Sequence, residues 1–142
     1  MKQFGVQMID PSISSQWWKE IVEHFVSVGD RFEIRCWKEE AAEIEQASMY
    51  GTAVDDQYEV SIKGTVTKDL LEKLLTEEPT DKSIYNKMTN YFTIHVKNDL
   101  CDFWSEHYGT EVVIAIVLDT DIEFFDQVMR QYPESFTIGI SC

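Results

Sequence analysis

The sequence predicts an α+β or α/β fold, in which three to four helices pack on a mixed sheet of about six strands in a single layered domain. Three observations support this prediction. Segments with a two-residue apolar period alternate along the chain with segments of helical period, one central segment is apolar on both faces, and the chain has 142 residues. We therefore expect residues 1–142 to form one globular domain.

The central segment is Glu111–Leu118, in which Glu111 is followed by seven consecutive apolar residues, most of them β-branched. Because apolar and polar residues do not alternate, both faces of this strand are predicted to be buried inside a covered sheet. A short buried helix is the alternative, but β-branched residues favour the strand.

The first half of the chain shows clear periodicity. Residues 2–9 are predicted as a strand, and Asp10 followed by Pro11 predicts the start of a helix that ends at Gly29. The apolar stripe of this helix comprises Ile13, Trp17, Ile21 and Phe25, with Trp18 towards its edge. Residues 31–37 and 58–63 alternate as strands, and residues 39–50 form an acidic, peripheral helix that Gly51 ends.

The second half adds two helices and three strands. Thr67 is predicted to cap a short leucine-rich helix, and residues 77–81 are predicted as a mobile polar loop. Residues 91–97 and 136–140 alternate as strands on either side of the central one, with room for a further strand before Glu111. Thr120 and Glu123 match a capping box at the start of a helix that reaches Tyr132.

Negative charge is the strongest signal in the composition. The chain has 26 acidic and 12 basic residues, giving a net charge of −14, and neither residues 39–59 nor residues 98–129 contain Lys or Arg. Such a surface repels nucleic acid and anionic membranes and attracts basic proteins. Solubility alone is the other explanation of this charge. No apolar run reaches the ~20 residues of a membrane span and no secretory signal is recognised, so we expect a cytoplasmic protein.

Motifs for catalysis or cofactor binding are absent. The chain lacks the glycine-rich phosphate loops, the GxSxG elbow and the HExxH zinc motif, so we expect neither an enzyme nor a cofactor. Cys36 is predicted as a core residue, and Asp102 beside Cys101 is expected to raise the pKa of that thiol. A metal-dependent enzyme centred on His95 and His107, with Glu106 or Glu111, remains an alternative.

A compact acidic domain without catalytic motifs, with exposed aromatic residues in an acidic loop at 103–109, resembles the small bacterial immunity proteins that neutralise toxins of interbacterial competition. This resemblance is one of type and rests on no single motif. It implies one-to-one capture of a basic toxin domain, such as a nuclease with a basic cleft, and leaves the oligomeric state open. An acidic adaptor or regulatory domain is the other alternative. The residues predicted to bind the partner are Phe103, Trp104, Glu106, His107, Tyr108 and Glu111, with Glu39, Glu40 and Glu43 from the acidic helix.

Overall fold

A computed structural model describes residues 2–79, 86–116 and 118–141, with only the backbone described for Ser141. The helices are α1 (Gln16–Phe25), α2 (Ala41–Ser48), α3 (Lys68–Thr76) and α4 (Asp119–Arg130). The strands are β1 (Lys2–Met8), β2 (Arg31–Trp37), β3 (Thr52–Asp56), β4 (Glu59–Thr65), β5 (Thr93–Lys97), β6 (Cys101–Glu106), β7 (Glu111–Ile116) and β8 (Phe136–Ser141).

The eight strands form one open sheet in the order β3-β4-β2-β5-β6-β7-β1-β8. Every pair of neighbouring strands is antiparallel, so the α+β class is confirmed, while the predicted mixed sheet of about six strands is wrong. The strands β5, β6 and β7 follow one another through short connections, which antiparallel neighbours permit and parallel neighbours do not.

The core lies against one face of the sheet, and all four helices contribute to it. Strand residues of one parity, such as Phe4, Ile34 and Ile114, are buried there with helix residues that include Leu70 and Phe125. The alternate residues of the same strands lie on the other face, which no helix covers in the described part of the chain. This antiparallel sheet is therefore covered on one side only.

Both tryptophans of α1 belong to the core. Trp17 and Trp18 are fully buried, so the prediction that Trp18 lies at the edge of the apolar stripe is wrong. The Trp18 indole Nε1 donates a hydrogen bond of 3.0 Å to Ser105 Oγ on β6. Because this indole finds its partner inside the protein, its burial does not leave a polar group unsatisfied.

The helix starts differ from the predictions in three cases and agree in one, and α2 begins at Ala41 instead of residue 39. Helix α1 begins at Gln16, not after Asp10, and the Asp10 carboxylate accepts hydrogen bonds from the Ser12 amide and hydroxyl in the segment before it. Helix α4 begins at Asp119 with Leu118 as its N-cap, so Thr120 caps nothing. Thr67 caps α3 as predicted, since its hydroxyl oxygen accepts from the Leu70 amide.

Strand β3 was not predicted, β6 was predicted only as an optional further strand, and β7 was predicted with the wrong surroundings. Strand β3 was missed, and the segment predicted as an exposed acidic loop contains most of β6. Strand β7 is buried only on its helix face, whereas Val113 and Ala115 are half-buried on the uncovered face. The predicted loop at 77–81 lies partly outside the described residues. None of the described helices is both long and apolar enough to cross a bilayer.

Candidate functional site

The uncovered face of the sheet brings together several of the predicted partner-binding residues. Trp104 on β6 lies between His95 on β5 and Val113 on β7, and Glu106 lies directly opposite Glu111. These residues share a face because strand residues of one parity point to the same side. We call Trp104, Glu106, His107 and Glu111 the acidic patch.

Trp104 is held in place by stacking. Its ring and that of His95 are parallel within 9°, with centroids 3.6 Å apart. His95 is in turn fixed by a hydrogen bond between its Nε2 and the Asp102 carboxylate. Trp104 is therefore a half-buried aromatic side chain whose orientation is set before any partner arrives.

Glu106 and Glu111 form a like-charge pair. Residues that face each other across antiparallel strands have Cβ atoms about 4.5–5.5 Å apart, and like charges at this distance destabilise the sheet. His107 Nδ1 lies 3.2 Å from Glu111 Oε2. Within the described residues, neither glutamate forms an ion pair with a lysine or arginine. Among the described residues, His107 is thus the one basic side chain in contact with this pair.

The acids on the β2–β4 side of the same face are arranged differently. The Arg35 guanidinium lies within 3.0 Å of carboxylate oxygens of Glu33, Asp56 and Glu59. Hydrogen bonds to Glu59 and Asp56 raise the pKa of Arg35, so that it stays charged. The pair of Glu106 and Glu111 differs from these acids, because no described arginine or lysine contacts it.

A tight turn joins β6 to β7 beside the acidic patch. His107, Tyr108 and Gly109 have φ values of 51°, 59° and 83°, a left-handed conformation that non-glycine residues seldom adopt. The turn is held by bonds from the Tyr108 amide to the Phe92 carbonyl and from the Met88 amide to the Tyr108 carbonyl. At Gly109 a Cβ would lie 2.8 Å from Met88 Cβ, so the close packing also requires glycine there.

The acidic helix α2 adjoins this turn through Glu40. The Tyr108 hydroxyl donates to Glu40 Oε2 at 3.0 Å, and the Trp37 amide donates to Glu40 Oε1 at 2.9 Å. Glu40 is therefore a structural residue that holds the start of the helix against the turn. Glu39 is exposed and Glu43 is half-buried, so these two can add negative charge near the acidic patch.

The exposure predicted for two aromatic residues is wrong. Phe103 is 0% exposed because it points from β6 into the core, and Tyr108 is 7% exposed because the turn folds its ring inward beneath Lys87. Neither ring is available to a partner on this surface. Trp104, Glu106 and Glu111 remain accessible at intermediate levels, and His107 is exposed.

The three histidines lie in separate pairs. His95 contacts Asp102, His107 contacts Glu111, and His24 Nε2 lies 2.8 Å from Asp121 Oδ1. The part of the chain that the structure describes contains no cluster of three or more His, Cys, Asp or Glu side chains placed to hold a metal ion. His95 and His107 are thus not brought together as a shared site.

The two described cysteines are poor nucleophiles. Burial raises the pKa of Cys36 to about 12 and that of Cys101 to about 11, with nearby carboxylates adding to both shifts. Cys36 is fully buried, as predicted. The effect of neighbouring acids on Cys101 has the predicted direction, although burial is the larger cause.

A shallow trough next to Val113, the neighbour of Trp104 on β7, was not predicted. Gly5 and Gly139 lie opposite each other on β1 and β8, next to Val113, and the missing side chains leave a depression of about 290 Å³. Nothing lies within 4 Å of a Cβ built on Gly139. The two glycines give a sequence signal only once the register of β1 and β8 is known.

Comparison of the chain with protein-family models, curated proteins and solved structures finds no match. The acidic patch therefore has to be interpreted from its own chemistry. It combines a pre-oriented tryptophan, two opposed carboxylates without a lysine or arginine partner in the described residues, and a trough next to Val113. Such a surface is suited to contact with lysine and arginine side chains of another protein.

Proposed function

We propose that this protein is an immunity protein that binds and neutralises a cognate toxin domain through the acidic patch. The observation that carries the proposal is the placement of Glu106 opposite Glu111, without a lysine or arginine partner in the described residues, beside the stacked Trp104. In a chain of net charge −14, this arrangement favours a basic partner.

The two glutamates supply both attraction and specificity. A lysine or arginine placed between them removes their mutual repulsion and forms charge-assisted hydrogen bonds, so binding recovers free energy that the isolated sheet loses. The remaining negative charge accelerates encounter with a basic domain. If that domain is a nuclease, the carboxylates occupy the positions of substrate phosphates.

Trp104 supplies the apolar anchor of the contact. Tryptophan is enriched among the residues that dominate binding energy, and a side chain already held in one orientation loses less conformational entropy on binding. Stacking on His95 provides this restraint, and the trough lined by Gly5 and Gly139 leaves room beside it for a partner side chain.

The left-handed turn at His107 and Tyr108 also supports a binding role. Such backbone conformations cost on the order of 1–3 kcal/mol each and persist where the surrounding structure enforces them, often at binding sites. Here the enforced turn keeps His107 outside and places α2, with Glu39, beside the acidic patch.

Capture of a toxic domain tests the function itself. The untagged chain is used to capture partners from a lysate of its source, and each captured domain is expressed alone and together with the chain. We expect a basic domain that is toxic alone and is rescued by co-expression. Capture of a basic but harmless protein would favour the adaptor alternative, and rescue without complex formation would contradict the mechanism.

Charge reversal tests the placement of the contact. We expect Glu106→Lys with Glu111→Lys, and separately Trp104→Ala, to weaken binding on the order of 100-fold, since central charge pairs and aromatic anchors each contribute a few kcal/mol. The matched control is Glu72→Lys with Glu123→Lys, which makes the same charge change at exposed positions of α3 and α4. Equal loss in both double variants would indicate a net-charge effect and would reject the acidic patch.

A further inference from the structure

The two edge strands of the sheet differ in their protection against pairing with another strand. At one edge β3 carries Asp55 and Asp56, and charged side chains are a common device against edge-to-edge association. At the other edge β8 carries no charged residue at any of its six positions. Ile138 and Ile140 on β8 are 50% and 61% exposed.

The hydrogen-bonding groups on the outer side of β8 can be identified from its neighbour. The Met8 amide donates to the Thr110 carbonyl, towards β7, whereas the Ile9 amide donates to the Ser135 carbonyl, towards β8. Odd-numbered residues of β1 therefore bond to β8, through its odd-numbered residues. The backbone groups of Phe136, Ile138 and Ile140 consequently point away from β1, and no described strand pairs with them.

We infer that β8 pairs with β8 of a second copy of this chain in an antiparallel arrangement about a two-fold axis at Ile138. In this register Ile138 faces its own copy and Phe136 faces Ile140, so every outward backbone group finds a partner. The three apolar side chains form cross-strand pairs on the helix side of the joined sheet. The contact is self-complementary, as a two-fold interface requires.

The lack of charged residues on β8 makes this edge suited to pairing with a second copy. An uncharged strand has no acidic side chain to attract a basic chain. At this edge, unlike at β3, two copies of net charge −14 can pair without bringing acidic side chains of the two strands together. Strands β7 and β1 separate β8 from Trp104, so the acidic patch stays free in the dimer. The inference is independent of the proposed function.

Disulfide trapping tests the register. In a Cys142→Ser background, Ile138→Cys places two thiols on directly opposed residues about 5.5 Å apart between Cα atoms, within the range that a disulfide spans. Ile140→Cys is the matched control, since it is exposed on the same strand and face but lies about 14 Å from its copy in this register. We expect rapid, nearly complete cross-linking of the first variant and little of the second. Equal cross-linking of both, or of neither, overturns this arrangement.

Charge introduced at each edge tests the interface without a cross-link. We expect the unmodified chain to sediment as a dimer, Ile138→Lys to sediment as a monomer, and Val54→Lys on β3 to remain a dimer. Val54 is 58% exposed, so the control makes the same change at a comparably exposed site of the opposite edge. A monomeric unmodified chain, or dissociation by both variants alike, would exclude β8 as the interface.

Discussion

The contact between Trp18 and Ser105 shows how a single residue can be essential to this core. Ser105 is fully buried on β6, and its hydroxyl accepts the hydrogen bond from the Trp18 indole. We expect Ser105→Ala to lower the free energy of unfolding by about 1–3 kcal/mol, because the buried indole N–H loses its partner. Denaturant unfolding measures this change.

The control for Ser105→Ala is the same substitution in a Trp18→Phe background. In that background the indole N–H donor is absent, so Ser105→Ala should lower the free energy of unfolding by a much smaller amount. Equal losses in the two backgrounds would show that the serine acts through packing and not through the hydrogen bond.

The same residues explain why β6 was predicted only as an optional strand. Its core side carries Cys101, Phe103 and Ser105, while its outer side carries Trp104. A serine facing inward and a tryptophan facing outward reverse the expected hydrophobic alternation. The regular feature of β6 is that every second residue is buried. This can be recognised only in the structure, where Ser105 bonds to Trp18.

At the scale of elements, the two threonines predicted as helix caps should behave differently. We expect Thr67→Ala to destabilise the protein by about 1 kcal/mol, since the hydroxyl of Thr67 satisfies the Leu70 amide at the start of α3. Thr120→Ala should change the free energy of unfolding by less than about 0.5 kcal/mol, because Thr120 lies inside α4 and is exposed. Thermal or denaturant unfolding of the two variants side by side checks this, and a larger loss at Thr120 would contradict the observed start of α4.

Elements with an apolar buried face and a polar outer face were the ones that could be predicted. The alternation of Phe32, Ile34 and Cys36 identified β2, and the apolar stripe of α1 identified most of its buried residues. Strand β3 has no buried residue, so no pattern marks it. Strand β7 was taken to be covered on both faces because Val113 and Ala115 are apolar, although they are only half-buried among neighbouring strands.

At the scale of the whole molecule, the parts of the site were predictable but their arrangement was not. The acidic segments around Glu40 and Glu106 stood out by composition, whereas the bond from Tyr108 to Glu40 that brings them together spans 68 positions. The pairing of Glu106 with Glu111 depends on register, and the order of strands depends on contacts far apart in sequence. Local periodicity contains neither kind of information.

The net charge of −14 leads to a prediction that separates the two associations of this protein. Two copies repel each other at long range, so added salt should strengthen the dimer through β8. Capture of a basic partner by the acidic patch relies on attraction, so the same salt should weaken it and slow its association. The Debye length falls from about 30 Å at 0.01 M to about 3 Å at 1 M, a range that covers both effects.

Two measurements across this range of salt should therefore show opposite trends: sedimentation of the chain alone, and binding kinetics with the captured partner. A dimer that dissociates as salt is added would mean that ion pairs hold it together, which an interface made by the uncharged strand β8 does not allow.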